Sequence, residues 1–190
     1  ILKNVVAEVL KRKPVGEALR IWCAASSTGQ EAYTIAMAIE EFRIGLPSFQ
    51  LKVLATDVDE DVLQRASDGI YTAEEAASVP AIFRQKYFSG YVDSDRRSKK
   101  LQVSEALRGK IRFAPFNLLT DKYPFEHPFD IIFCRNVLIY FSRSTSENVI
   151  AKFREALGKD SYLFLGHAET GMMRIPGLRS LWNAVYQRKS

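Results

Sequence analysis

The chain reads as an α/β domain built on a parallel sheet that is covered on both faces. Short apolar runs rich in β-branched and aromatic residues alternate with longer segments whose apolar residues recur at helical spacing. Strands joined through helices need right-handed crossovers, and those set neighbouring strands parallel. The length, 190 residues, suits one domain with a single substantial core. A composition of 47% hydrophobic and 26% charged residues is that of a globular chain and argues against disorder.

Residues 1–10 alternate apolar and charged side chains and predict an amphipathic helix, not a signal peptide. No apolar run approaches the length of a membrane span. The first residue is Ile1 rather than Met, so an excised part of a longer chain is expected. Residues 19–25 (LRIWCAA) predict the first strand, which ends in the turn chemistry of SSTG. A helix follows, with Ala32, Ile35, Ala36, Ile39 and Phe42 on one face, and Gly45 and Pro47 stop it. Residues 51–57 predict a second strand, and DEDVLQRAS a short helix with acids in its first turn, where the helix dipole favours them. Between Asp68 and Lys110 the alternation breaks. A helical piece near 79–87 precedes two strand-like runs, YFSGYV and KKLQVS, around the polar tip DSDRRS, which reads as an inserted hairpin. Strands return at 111–119, at 129 onward and at 161–169, with a helix capped by Ser144 or Thr145 between the last two. LWNAVYQRK reads as one closing strand. Cys23 and Cys134 both lie in apolar runs, as buried reduced thiols would, and with the missing signal peptide they point to the cytoplasm.

In a sheet of this kind ligands bind at the carboxyl ends of the strands, near the point where the strand order reverses. Polar residues stand at four such ends. Glu31 follows the first strand's turn, where its carboxylate either holds a ligand ammonium or simply suits the first turn of a helix. Asp57 ends the second strand. With Asp59 also present, one acid can cap the next helix while the other binds a pair of ribose hydroxyls. Asn117 ends the third strand, as an adenine-edge partner or a turn residue. Arg135 and Asn136 directly follow FDIIFC, with Tyr140 four residues on. Such groups need either a ligand mouth or an ion pair and a cap, because burying them without partners is costly. Gly29 alone does not make the dinucleotide fingerprint, and no P-loop lysine or nucleophile elbow is present. His127 and His167 have no partners at metal-ligand spacing, so no metal is expected. The net charge of +5 permits an acidic partner without naming one. Between Arg84 and Arg112 nine basic residues face three acids, so the positive charge concentrates on the insertion.

Taken together, RIWCAASSTGQEAYTIAM, LATDVDEDVLQRASDGIY, KYF, IRFAPFNLL, FDIIFCRNVLIYF and YLFLGHAE resemble the catalytic domain of the CheR family of protein-glutamate O-methyltransferases. The resemblance implies a Rossmann-like, seven-stranded S-adenosylmethionine-dependent methyltransferase sheet with a small inserted antiparallel β-subdomain at about 70–110. It implies S-adenosylmethionine as cofactor and S-adenosylhomocysteine as product. By motif, Ala25 and Glu31 would touch the methionine part, Asp57 with Val58 the ribose, and Asn117 with Leu118 the adenine. Arg135, Asn136 and Tyr140 would line the cofactor site, with Tyr140 and Arg135 the catalytic residues. The implied partner is the cytoplasmic region of a chemoreceptor, which some members hold by its C-terminal peptide at the insertion's edge. Here KKLQVS would be such an edge, with Arg96, Arg97, Lys99 and Lys100 attracting an acidic segment. The implied enzyme is a monomer that neither inserts into membrane nor binds nucleic acid. Residues 1–18 would be the linker helix from an N-terminal helical domain, and 19–190 the catalytic domain. Two departures from the pattern are Gln30, where a second acid is common, and GHAET for GHSE. A nucleic-acid methyltransferase is disfavoured because residues 136–140 (NVLIY) lack the prolines of an amino-methylating turn. A non-catalytic S-adenosylmethionine-binding signalling module remains the alternative.

Overall fold

A computed structural model of the chain describes residues 1–92, 99–169 and 176–189. Its main sheet has seven strands in the order β6-β2-β1-β7-β8-β10-β9. These are β1 (Ala18–Ala24), β2 (Gln50–Asp57), β6 (Ile111–Pro115), β7 (Phe129–Cys134), β8 (Leu157–Leu165), β9 (Leu178–Trp182) and β10 (Val185–Arg188). The first five pair in parallel, while β10 is antiparallel to both β8 and β9. From β1 the chain winds outward through β2 to β6 and then returns to lay β7 on β1's other side. The strand order therefore reverses between β1 and β7.

The pleat assigns alternate residues to opposite faces. Ile21, Cys23, Val53, Ala55, Ile131 and Phe133 join one core, with the buried faces of α1 (Leu2–Leu10) and α2 (Gln30–Glu41). Trp22, Ala24, Ile132 and Cys134 join the other, under α6 (Arg143–Ala156). α1 is part of the main core, since Val5, Val6, Val9 and Leu10 are buried there. Both cysteines are buried and free, and burial pushes both thiols well above their usual range. No helix among the described residues is long and apolar enough to cross a membrane.

Several sequence expectations are corrected. The insertion contains the expected hairpin, β4 (Phe88–Val92) paired with β5 (Lys99–Val103), and adds a third strand: β3 (Ile70–Thr72) pairs antiparallel with β5 on its other side. KKLQVS is therefore the central strand and offers no free edge. The hairpin tip with Arg96 and Arg97, and the side chain of Lys99, lie outside the described residues. The closing strand is a hairpin of β9 and β10, whose turn places Ala184 at φ 65°. β8 starts at Leu157, immediately after α6. The cap of α6 is Ser142, whose hydroxyl accepts the Thr145 N–H at 3.2 Å. Strand β6 stops at Pro115, and the connection from there to β7 contains no helix.

Candidate functional site

Register brings the strand ends level. Ala24 is aligned with Thr56 on one side and Cys134 on the other, Cys134 with Leu165, and Asp57 with Pro115. The residues that follow, Ala25, Val58, Phe116, Arg135 and Gly166, consequently emerge along one edge of the sheet. Among the described residues five non-glycine residues have positive φ, and three of them stand here: Ala25 (58°), Ser27 (47°) and Asn136 (61°). Left-handed backbone is unfavourable by about 1–2 kcal/mol per ordinary residue, and such strain gathers where a loop is shaped for a ligand.

Asp57 and Asp59 divide their work. Asp59 caps α3 (Glu60–Asp68), accepting the N–H groups of Asp61 at 2.9 Å and Val62 at 3.3 Å. Asp57 accepts from Ser27 N–H at 2.8 Å with one oxygen, and from Val58 at 2.8 Å and Asp59 at 3.2 Å with the other. It thereby ties the β1–α2 loop to the end of β2. A carboxylate has about four acceptor positions, so these three bonds leave Asp57 able to accept from a further donor.

Glu31 and Arg135 form an ion pair of 2.7 Å across the point where the strand order reverses. Asn117 is exposed, and its side-chain oxygen accepts the Leu119 N–H at 2.9 Å in a turn. Leu118 points inward: its side chain is buried, and its carbonyl accepts from Tyr123 and Lys152. Tyr140 lies on a 3-10 turn (Leu138–Tyr140) and is 80% exposed, which removes a core role for its ring. Val58 is exposed as well.

A family model described as "CheR methyltransferase, SAM binding domain" matches residues 1–179. The chain belongs to this family. Among curated members, the chemotaxis protein methyltransferase of Borreliella burgdorferi is 40% identical over 171 residues, covering 90% of this chain and 58% of that protein. The one from Escherichia coli is 39% identical over 158 residues, covering 83% and 54%. The chain thus spans less than two thirds of these CheR relatives. Among solved structures, PKMT2 from Rickettsia typhi in complex with AdoHcy matches with a TM-score of 0.50 at 11% identity, covering 86% of this chain and 24% of that one. At that identity the likeness concerns the fold alone.

The CheR cofactor, S-adenosylmethionine, fits what stands at the strand ends. Two carboxylates and a guanidinium are grouped there, and the hydroxyl of Ser26, buried in the strained β1–α2 loop, has no partner among the described residues. A buried hydroxyl without a partner is unfavourable unless a ligand satisfies it.

Two supporting residues escaped the sequence reading. Glu169 is 3% exposed, yet its carboxylate accepts three backbone N–H groups. They belong to Val137 at 2.9 Å, Leu138 at 2.9 Å and Gly166. This fixes the turn that carries Asn136 and Tyr140 onto the end of β8. The fit leaves no space at Gly166, where a Cβ would lie 2.7 Å from the Glu169 carboxylate and 2.9 Å from the Asn136 side-chain oxygen. Lys152 of α6 is also buried. It donates to the carbonyls of Leu118 at 3.1 Å and Thr120 at 2.6 Å, pinning the loop after Asn117. Their signals are weak because the partners, Gly166 apart, are 31 or more residues away in sequence. Lys152→Met keeps the stem but leaves the Thr120 carbonyl unpaired and the Leu118 carbonyl with Tyr123 alone. The expected loss is about 2 kcal/mol, read as a fall in thermal midpoint of about 4–8 °C. An unchanged midpoint would show that Lys152 does not hold this loop.

Proposed function

We propose that the chain is the catalytic domain of a protein-glutamate O-methyltransferase acting on the cytoplasmic region of a chemoreceptor. The products are a glutamyl methyl ester and S-adenosylhomocysteine. The observation that carries this reading is the grouping of Asp57, the Glu31–Arg135 pair and an exposed Tyr140 at the strand-order reversal of a CheR domain.

S-adenosylmethionine supplies an activated methyl group on a sulfonium. A glutamate side chain is ionised at neutral pH, so it attacks without a general base, and the protein's task is alignment and exclusion of water. The Glu31–Arg135 pair offers one charge of each sign, the complement of the ammonium and carboxylate of a methionine moiety. Ala25 lies beside it. Asp57 takes a ribose hydroxyl with its remaining acceptor position, next to Val58. Asn117 and the backbone of Leu118 meet the adenine. Asn136 lines the site, and the Tyr140 hydroxyl orients the acceptor carboxylate, with Arg135 nearby. On the insertion, Arg96, Arg97, Lys99 and Lys100 attract an acidic receptor segment. Since β5 is flanked on both sides, any added peptide strand would pair with β3 or β4.

The test is transfer of labelled methyl from S-adenosylmethionine to receptor-containing membranes, scored as alkali-released methanol. Cofactor binding without such transfer would favour the signalling module instead. Within the same assay, Tyr140→Phe is expected to lower kcat at least about 10-fold, or ~1.4 kcal/mol, while S-adenosylhomocysteine affinity changes little. Equal losses in both would make Tyr140 a cofactor contact.

A further inference from the structure

A wide concavity lies away from the strand ends. It is a trough over the amino-terminal halves of β1, β2 and β6, of about 660 Å³. Volumes of roughly 300–1,000 Å³ are usual for small-molecule sites. It exists because the β6–β7 connection has no helix, so the outer parts of β2 and β6 on that face are left open. The segment at Pro124, Phe125, Glu126 and His127 forms one wall.

Cations line the floor. Arg20 and Lys52 are aligned neighbours on β1 and β2, and Arg112 is aligned with Leu54 one pleat further along the same face. Like charges directly opposite on adjacent strands are destabilising, so a nearby acid would be expected to relieve them. The acid next in that row, Asp130 on β7, is engaged elsewhere. It accepts from the Lys13 ammonium at 3.0 and 3.1 Å and from the Arg20 backbone N–H at 2.8 Å. Lys110, also in the lining, is 3.5 Å from Glu40. Among the described residues the side chains of Arg20, Lys52 and Arg112 have no hydrogen-bond or ion-pair partner, and the one acid in the lining is Glu126.

We propose that this trough binds a phosphate-bearing small molecule at a site separate from the strand-end cofactor site. The cations stand on three adjacent strands, a span of roughly 10 Å at about 4.8 Å per strand spacing, which suits a diphosphate or triphosphate. Two of the three are guanidinium groups, whose forked donors match phosphate oxygens. Leu54, Phe125 and Pro124 give the same trough an apolar side that suits a flat ring system, so a nucleoside polyphosphate is the expected class. The trough opens at the amino ends of the parallel strands and the cofactor residues at the carboxyl ends, so the two ligands do not compete.

The experiment titrates the full chain, with and without saturating S-adenosylhomocysteine, with inorganic tripolyphosphate and then with ADP, by calorimetry at low salt. Saturable binding of one equivalent is expected in both conditions, weakening as salt is raised, with the ADP heat persisting when the cofactor site is blocked. The triple variant Arg20→Gln, Lys52→Gln, Arg112→Gln should lower tripolyphosphate affinity at least about 10-fold and leave S-adenosylhomocysteine affinity unchanged. A control removes the same charge from exposed positions elsewhere: Lys3→Gln, Lys122→Gln, Lys189→Gln. That control should bind tripolyphosphate like the parent. Equal weakening in both triple variants would reduce the effect to net charge and overturn the proposal. So would the absence of saturable binding in the parent, or undiminished binding in the trough variant.

Discussion

Asp57→Ala should weaken S-adenosylhomocysteine binding about 100-fold, or ~2.7 kcal/mol, with the sheet still folded. Two losses combine. The carboxylate's bond to a ribose hydroxyl disappears, and so does the tie from β2 to Ser27 that shapes the β1–α2 loop. The helix after it keeps its own cap in Asp59, so the damage stays at the site. Asp57→Asn separates the two losses. One oxygen survives to accept a backbone N–H, while the charge that strengthens the ribose bond is gone. Calorimetric titration of each variant reads the result. A folded Asp57→Ala protein with parental affinity would end the ribose assignment.

Glu169→Ala is expected to be the more damaging change to the molecule as a whole. It leaves three backbone donors without their carboxylate in a place water does not reach. At about 1 kcal/mol or more for each, the loss is at least ~3 kcal/mol, which lowers the thermal midpoint by about 6–12 °C. Methyl transfer should fall further than cofactor affinity, because the released turn carries Tyr140. Glu169→Gln keeps one oxygen and should recover part of the stability. A thermal midpoint unmoved by the alanine variant would show that the bonds contribute nothing.

The main strands were legible because each is a short apolar run bounded by a polar residue, and the sheet's parallel order follows from the helices between them. Asp57, Arg135 and Asn136 were legible for the same reason: a polar residue that abruptly ends a buried run needs a partner. What escaped depended on distance or brevity. β3 is three residues long and indistinguishable from a loop until β5 pairs with it. The hairpin turn in LWNAVYQRK has alanine, not glycine, at its positive φ. Ser142, Ser144 and Thr145 are chemically equivalent caps, and only backbone geometry selects the first. Glu169 looks like the polar end of a strand; its role exists only once β8 lies beside the turn after β7.

The helix-free connection between β6 and β7 has a thermal consequence. Its anchors are rings: Phe116, Tyr123 and Phe125 pack on Trp22 with centroids 5.6, 5.4 and 4.8 Å away. Helices hold their shape through a ladder of backbone bonds, whereas this segment has a few side-chain bonds from Lys152 and Tyr123 and otherwise relies on aromatic burial, an adhesion that weakens on cooling. The loop with Asn117, at the start of this connection, is therefore the part of the site that chilling loosens first. α2 and α6, with their own hydrogen-bond ladders, stay in place.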